Sequence, residues 1–403
     1  MNRRKWLFRG VAILGSTLVA LVAIEVGYRA LRYQQLRRVY VAELRAAADA
    51  ALADRDPEGI HTSFAGISRY DALVGHRYRP HLRVAFEAPF GPVEWSTNGH
   101  GHFDADDYPV EKPSGEFRVA VIGDSFTANI CNRVNWPQLL EDRLAVNDAW
   151  RERLDGRSTR VLNLGLDGIG IVQFDKVLEH EGLRFAPDLV LINLITDDIV
   201  RRPYYRGLIG TEGRPLSQSE IERHVAEVVL APLPWWRPYP EALAALVGRA
   251  PWLDRLNRLG LGPLTLPPRL DPQQARYYAT HDEAMAASLT ALRAAQQLHD
   301  SLLLLYHPMY EELIGPERPH LVGLRQRLLA EGGEMEFISM TDYLPLSNDP
   351  ATVARWYLMP LDAHPSDEGL EAYAAAVERL LLERVAPTGR TSARVAERAR
   401  TTE

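Results

Sequence analysis

A serine hydroxyl becomes a useful nucleophile when a base can take its proton and a carboxylate can orient that base. Ser125 ends the run Val119-Ala120-Val121-Ile122-Gly123-Asp124-Ser125, which reads as a buried strand entering a turn ahead of a helical segment with Trp136, Leu139, Leu140 and Leu144. The carboxyl edge of an open α/β sheet is where ligand sites gather. An isolated Gly-Asp-Ser is ordinarily a capped turn, so it needs partners. Asp362-Ala363-His364 supplies both of them, a carboxylate and an imidazole. It precedes a segment that starts as a helix should, with Ser366 as N-cap, Asp367 and Glu368 in the first turn, and Leu370, Tyr373, Ala374, Val377, Leu380 and Leu381 at helical spacing. These residue types predict acyl transfer through Ser125, His364 and Asp362.

Other chemistry-bearing residues read more plainly. His100 and His102, followed by Asp104, Asp106 and Asp107, could ligate a metal, but a Gly-rich loop favours solvated polar residues there. His307 follows an apolar run and is expected to be a hydrogen-bonded structural histidine, with a pocket role as the alternative. The single cysteine, Cys131, excludes an intrachain disulfide and a Cys-based metal cluster. It is expected to be a small buried residue. The Gly-x-Ser-x-Gly elbow of α/β-hydrolases is absent, since Thr127 follows Phe126.

Five apolar runs must position these groups: Phe117 to Ile122, Arg160 to Leu164, Asp188 to Leu194, Ser301 to Tyr306 and Glu336 to Met340. Separated by amphipathic helices, they predict a parallel α/β sheet across residues 113–386. The rhythm stops from about 203 to 280, a Pro- and Trp-rich stretch read as an insertion or cap. Residues 60–112, with Tyr78, Phe86, Val93 and Trp95 spaced by turn formers, predict a small β-rich lead-in. The polar stretch 387–403 is expected to be a disordered tail.

At the N-terminus, Arg3, Arg4, Lys5 and Arg9 precede an apolar stretch from Gly10 to Ile24 that continues through Val26, Gly27 and Tyr28. This predicts a retained transmembrane signal anchor over residues 1–28, contacting a lipid bilayer through about 10–28. No small-x-small cleavage pattern or lipobox cysteine ends the stretch. Residues 29–59, free of Gly and Pro up to Pro57, read as a helical stalk. Arg29, Arg32, Arg37 and Arg38 nearly cancel the charge asymmetry that sets topology, so an extracytoplasmic body on the cytoplasmic membrane is expected from the habit of N-terminal anchors alone. The 403-residue chain carries 46 Lys+Arg against 53 Asp+Glu, a net charge of -7, which gives no pull toward a nucleic-acid backbone.

The Gly-Asp-Ser block and the late Asp-x-His resemble those of the SGNH/GDSL hydrolases, over roughly Phe117 to Arg384. The segment Thr97-Asn98 to Phe103 also resembles a stretch found ahead of the serine in membrane-anchored bacterial relatives. The resemblance implies a three-layer α/β/α flavodoxin-like fold with a five-stranded parallel sheet, carrying here a transmembrane helix, stalk and lead-in. It implies Ser125 as nucleophile, His364 as general base and Asp362 as its orienting carboxylate, with neither metal nor organic cofactor. The oxyanion would be met by the backbone of Ser125 and by that of Gly168, or Gly165 as fallback. A third donor, an asparagine in the family, is replaced by Asp197 in Ile195-Thr196-Asp197-Asp198. An ionised carboxylate cannot donate, whereas a protonated one can, and a desolvated site or the neighbouring Asp198 would favour the proton. Thr196 is the alternative donor. The substrates implied are O-acylated carbohydrate of the envelope or exported polysaccharide, then lipid esters. An acyltransferase, or a carbohydrate-binding or assembly protein impaired by Asp197, is the alternative reading.

Overall fold

The computed structural model describes residues 3–53, 67–71, 73–104, 106–201, 203, 217–226, 278, 280–315, 321–345 and 350–387. The expected insertion falls mostly outside the described residues, and so do the end of the stalk and nearly all of the tail. The chain forms two compact units, one of residues 1–45 and 217–269, the other of residues 46–216 and 270–403.

One continuous helix, α1 (Arg3–Ala53), whose residues up to Arg45 belong to the first unit, contains both the apolar stretch and the described part of the expected stalk. It is long and apolar enough to cross a membrane by length and composition. Leu14, Leu18, Val19 and Val22 stand exposed along it. The hydroxyls in this stretch bond back into the helix, Ser16 Oγ donating to the Ile13 carbonyl at 3.0 Å and Thr17 Oγ1 to the same carbonyl at 2.8 Å, so these two hydroxyls do not depend on water. Farther along, Arg45 Nη1 donates to Gln218 Oε1 at 2.7 Å, within a turn that is capped by Ser217 at the start of a second helix of this unit, Gln218–His224.

The second unit begins with two antiparallel hairpins, β1 (Ser68–Asp71) with β2 (Gly75–Tyr78) and β3 (Arg83–Ala88) with β4 (Gly91–Ser96). Beyond them β5 (Glu116–Gly123), β6 (Ser158–Asn163), β7 (Leu189–Leu194), β8 (Leu302–Tyr306) and β9 (Phe337–Ser339) form one parallel sheet in the order β6-β5-β7-β8-β9. This is the flavodoxin-like order, with its switch point at β5 and β7. The five apolar runs all became strands because a parallel sheet covered on both faces needs side chains buried on both. β7 is buried at every position.

Helices cover the sheet on two sides. The helix Trp136–Val146 and the C-terminal helix Asp367–Arg384 pack with Phe117, Val119, Val121 and Leu191 in one apolar core that includes Trp136, Leu140, Tyr373, Val377 and Leu381. Ser366 caps the C-terminal helix as expected, accepting from the Gly369 N–H at 3.2 Å. The fold implied by the resemblance is thus the fold observed. The hairpins lie against it through Trp95, whose Nε1 donates to the Ile130 carbonyl at 3.0 Å, and Gln173, whose Nε2 donates to the Val74 carbonyl at 2.9 Å.

Candidate active site

β5 delivers its serine through a turn with no room for a side chain at Gly123, where a Cβ would meet Thr127 Oγ1 at 2.2 Å and the Asn193 carbonyl at 2.6 Å. Asp124 caps the four-residue turn of helix Ser125–Ala128, its Oδ1 accepting from the Phe126 N–H at 2.8 Å. Ser125 therefore occupies the first helical position, where a backbone N–H has no partner within the helix.

The Asp-x-His loop is braced from within. The Leu358 N–H donates to the His364 carbonyl at 2.9 Å, and the Asp362 N–H to the Leu358 carbonyl at 3.1 Å. It brings His364 Nε2 to 2.8 Å from Ser125 Oγ and His364 Nδ1 to 2.5 Å from Asp362 Oδ1. The hydrogen bond from His364 holds the Asp362 carboxyl below the usual range despite partial burial. Nδ1–H toward a carboxylate and a lone pair at Nε2 toward a hydroxyl is the tautomer a general base needs. The Phe126 ring lies against His364 at 5.2 Å between centroids and walls the base on one side.

Gly168 follows β6 on the loop after that strand, with φ at +78°, in the left-handed region that favours glycine. Gly165 has another task. Its Cβ would lie 2.4 Å from the Ala128 nitrogen, and its N–H donates to Asn163 Oδ1 at 3.0 Å. Thr196, the alternative donor, is buried, and its hydroxyl proton goes to Glu312 Oε1 at 2.6 Å beside the Tyr306 hydroxyl. That engagement removes it from the oxyanion role.

Asp197 does not stand alone. Its Oδ2 accepts from Arg201 Nη2 at 3.0 Å, while Arg201 Nη1 reaches Asp124 Oδ2 at 2.8 Å and Asp198 Oδ1 at 3.1 Å. Asp124 Oδ2 in turn lies 3.3 Å from Ser125 Oγ. Desolvation and then Asp124 push the Asp198 carboxyl well above the usual range. For Arg201, burial pulls down but Asp198, Asp124 and Asp197 outweigh it and fix the positive charge. One guanidinium thus gathers three carboxylates beside the nucleophile. Sequence reasoning missed Arg201, although its i+3 and i+4 spacing from Asp198 and Asp197 is a helix-pair signal.

A second unforeseen contact ties the lead-in to the glycine loop. The buried Tyr78 hydroxyl donates to Asp167 Oδ1 at 3.0 Å and accepts from the Asp167 N–H at 3.1 Å, and His76 Nε2 is 3.3 Å from the same carboxylate oxygen. Asp167 is the residue before Gly168.

The remaining candidates divide. His102 bonds Tyr108 through Nδ1 and Glu181 Oε1 through Nε2 at 3.0 Å, and His100 Nε2 meets the Tyr108 carbonyl at 2.7 Å, so protein partners take the atoms a metal would use. His307 is buried, stacked on Tyr373 at 3.9 Å between centroids, and burial pushes it down to about 3, which makes it a neutral packing residue behind Phe126. Cys131 departs from expectation. It is only partly buried and lies beside the triad, where burial and then the Asp362 and Asp167 charges push its thiol up to about 12.

No protein-family model matches the chain, and no curated protein matches it. Among solved structures it is similar to the lipase/acylhydrolase from Enterococcus faecalis, at 16% identity over 67% of this chain and 98% of the other, with a TM-score of 0.32. It is similar to a GDSL-like lipase from Bacteroides thetaiotaomicron, at 13% identity over 66% and 87%, with a TM-score of 0.24. A family two carbohydrate esterase from Clostridium thermocellum, solved in complex with cellohexaose, is similar at 12% identity over 73% and 71%, with a TM-score of 0.31.

Proposed function

We propose that the chain is a serine-dependent acyl-ester hydrolase of SGNH/GDSL type, held at the cytoplasmic membrane by α1 with its body outside, and acting on O-acylated carbohydrate of the cell envelope. The observation that carries this reading is the relay of 2.8 and 2.5 Å from Ser125 through His364 to Asp362, across 239 residues of sequence. In the reaction the Ser125 oxygen attacks the ester carbonyl as His364 Nε2 takes its proton. The imidazolium, stabilised by Asp362, then returns that proton to the leaving alcohol. Water repeats the sequence on the acyl-enzyme. The N–H groups of Ser125 and Gly168 would meet the oxyanion, and Arg201 would offset part of the Asp197 charge beside it.

A second reading keeps one specific observation. Asp197 stands where the family pattern wants a donor, and a binding or assembly protein would tolerate that. Labelling by a fluorophosphonate separates the two. Wild type is expected to label and Ser125→Ala to remain unlabelled while folded. Labelling of Ser125→Ala would move the nucleophile elsewhere, and an unlabelled wild type would favour the binding reading. Release of acetate from acetylated oligosaccharide, compared with fatty-acyl esters, assigns the substrate class. An active C-terminal alkaline-phosphatase fusion is expected for a body outside the cytoplasm, and an inactive one would refute the orientation.

A further inference from the structure

The thiol of Cys131 is separated from the Asp-x-His motif by more than two hundred residues, yet the fold builds it into the triad's edge. Two asparagines fix its loop. Asn129, in the left-handed conformation at φ 54°, donates from Nδ2 to the Phe126 carbonyl at 3.1 Å. Asn132 Nδ2 bridges to the Pro365 carbonyl and to Asp367 Oδ1, both at 3.0 Å, and so staples the cysteine loop to the loop that carries His364. As a result candidate donor atoms of Cys131, Asp362 and His364 all lie within 4.8 Å of one another.

We propose that Cys131, Asp362 and His364 form a binding site for a thiophilic divalent cation of the zinc type, and that its occupation switches the triad off. The donor set decides the class of ion. One sulfur, one imidazole nitrogen and one carboxylate oxygen suit zinc or cadmium, whereas magnesium and calcium take oxygens. Bonds of about 2.0–2.3 Å place tetrahedral donors about 3.5 Å apart, so donors up to 4.8 Å apart close by about 1.3 Å, and a metal on Nδ1 also opens the 2.5 Å contact between His364 and Asp362 by about 1 Å. The side chains of His364 and Asp362 are 27% and 30% exposed, which leaves them an approach from solvent and freedom for that adjustment. Water completes the fourth position.

The binding step balances simply. The metal replaces the thiol proton, which leaves to solvent, and the sulfur bonds the metal as thiolate. The Asp362 and Asp167 charges that disfavour a bare thiolate at Cys131 favour a cation there. Either imidazole nitrogen gives the same functional result. A metal on Nε2 takes the lone pair that faces Ser125, and a metal on Nδ1 takes that nitrogen's lone pair while the ring proton it shared with Asp362 moves to Nε2 and occupies the lone pair facing Ser125. Both remove the base, and a chelator restores it. The inhibitory consequence rests on the proposed triad, but binding itself does not.

The test keeps the two apart by using the detergent-solubilised full chain and cadmium or zinc alone. Titration with cadmium is followed by thiolate-to-cadmium charge-transfer absorbance in the ultraviolet, which requires no catalysis. Wild type and Ser125→Ala are expected to develop the band at one equivalent. His364→Ala should bind at least about 10-fold more weakly, since even outer-shell partners are worth 10–100-fold. Cys131→Ser and Cys131→Ala, checked for native circular dichroism, should show no band. In the fluorophosphonate reaction zinc should slow wild type at least about 10-fold, reversibly with EDTA, while the Cys131 variants keep the basal rate and lose the zinc effect. Absence of the band in wild type, or equal cadmium affinity in His364→Ala, overturns the site. Equal zinc inhibition of wild type and the Cys131 variants overturns the switch. A band without any labelling by fluorophosphonate would leave the metal site standing and sink the hydrolase reading.

Discussion

Replacing Arg201 by Met removes the cation that, among the described residues, joins Asp124, Asp197 and Asp198. Asp124 and Asp198 have fully buried carboxylates, Asp197 is 17% exposed, and the Arg201 side chain is 20% exposed. Stripping one partner from a buried pair costs about 3–5 kcal/mol, and partial exposure of the arginine argues for the lower end, about 3 kcal/mol. For a body of roughly 250 residues the unfolding entropy converts that into a fall in Tm of about 6 °C. The sign of the pH dependence follows from the carboxylates. Without Arg201 the Asp198 carboxyl, already pushed well above its ordinary range, rises further, so the folded variant binds a proton that the unfolded chain releases. Its stability is then retained below the unfolded carboxylate range, near pH 4, and lost as pH rises toward neutrality. Thermal unfolding of wild type and Arg201→Met in detergent should therefore show a small difference near pH 4.5 and the full difference at pH 7.5. Arg201→Lys, which keeps the charge without the fork, should fall between. An equal loss at both pH values, or a loss below about 1 kcal/mol at pH 7.5, would refute the account, because such values are ordinary for surface substitutions and unpaired buried charge is not.

Three further outcomes are expected. Tyr78→Phe removes both hydrogen bonds to Asp167 and should lower kcat about 3- to 10-fold with little change in KM, since a misplaced Gly168 N–H is felt mainly at the oxyanion. A rise in KM alone would place Tyr78 in substrate binding. Glu141, pushed up to about 7 by burial, binds a proton in the folded state that the unfolded chain has lost. Wild-type stability should decline from about pH 4.5 to 7 on its account, and Glu141→Gln should flatten that limb in a pH series of melting curves. Asp197→Asn keeps an acceptor for Arg201 and adds a donor, so ester turnover should rise by up to about 10² at neutral pH, and an unchanged kcat would mean that residue 197 does not face the oxyanion.

The parts of the fold that were legible are those where a local pattern and a burial requirement coincide. Strands β5 to β9 fall within a few residues of the apolar runs because a two-sided parallel sheet leaves no polar alternation to blur them, and the C-terminal helix begins where Ser366 and its acidic first turn say it must. The identities of Ser125, Asp362 and His364 were legible as types of chemistry. Their convergence was expected from the paired chemistry and from the family resemblance, not from periodicity, since the order β6-β5-β7-β8-β9 leaves no periodic trace in the chain.

The residues that escaped reading share one property: each acts through a partner far away in sequence or beyond an element boundary. Tyr78 touches Asp167 across 89 positions, and Asn132 staples Cys131 to Pro365 across 233. Arg201 is the instructive case, because its partners Asp197 and Asp198 are in plain view one helical turn earlier. Asp197 taken alone is a charge that repels an oxyanion, and on that basis it argues against turnover. Coupled to Arg201, and with Asp124 linking the same cation to within 3.3 Å of Ser125 Oγ, the relevant quantity becomes the net charge of the cluster. Among the described residues three carboxylates share one guanidinium, and burial together with Asp124 holds Asp198 toward its neutral form. A proton on Asp198 lowers the formal charge of the cluster from -2 to -1. The electrostatic cost to an oxyanion nearby is therefore set by the protonation of a residue that touches neither serine nor substrate. Asp198→Asn, which fixes the neutral state, should remove whatever loss of turnover wild type suffers as Asp198 ionises with rising pH. A fall in turnover at neutral pH would instead show that Asp198 works as an ion.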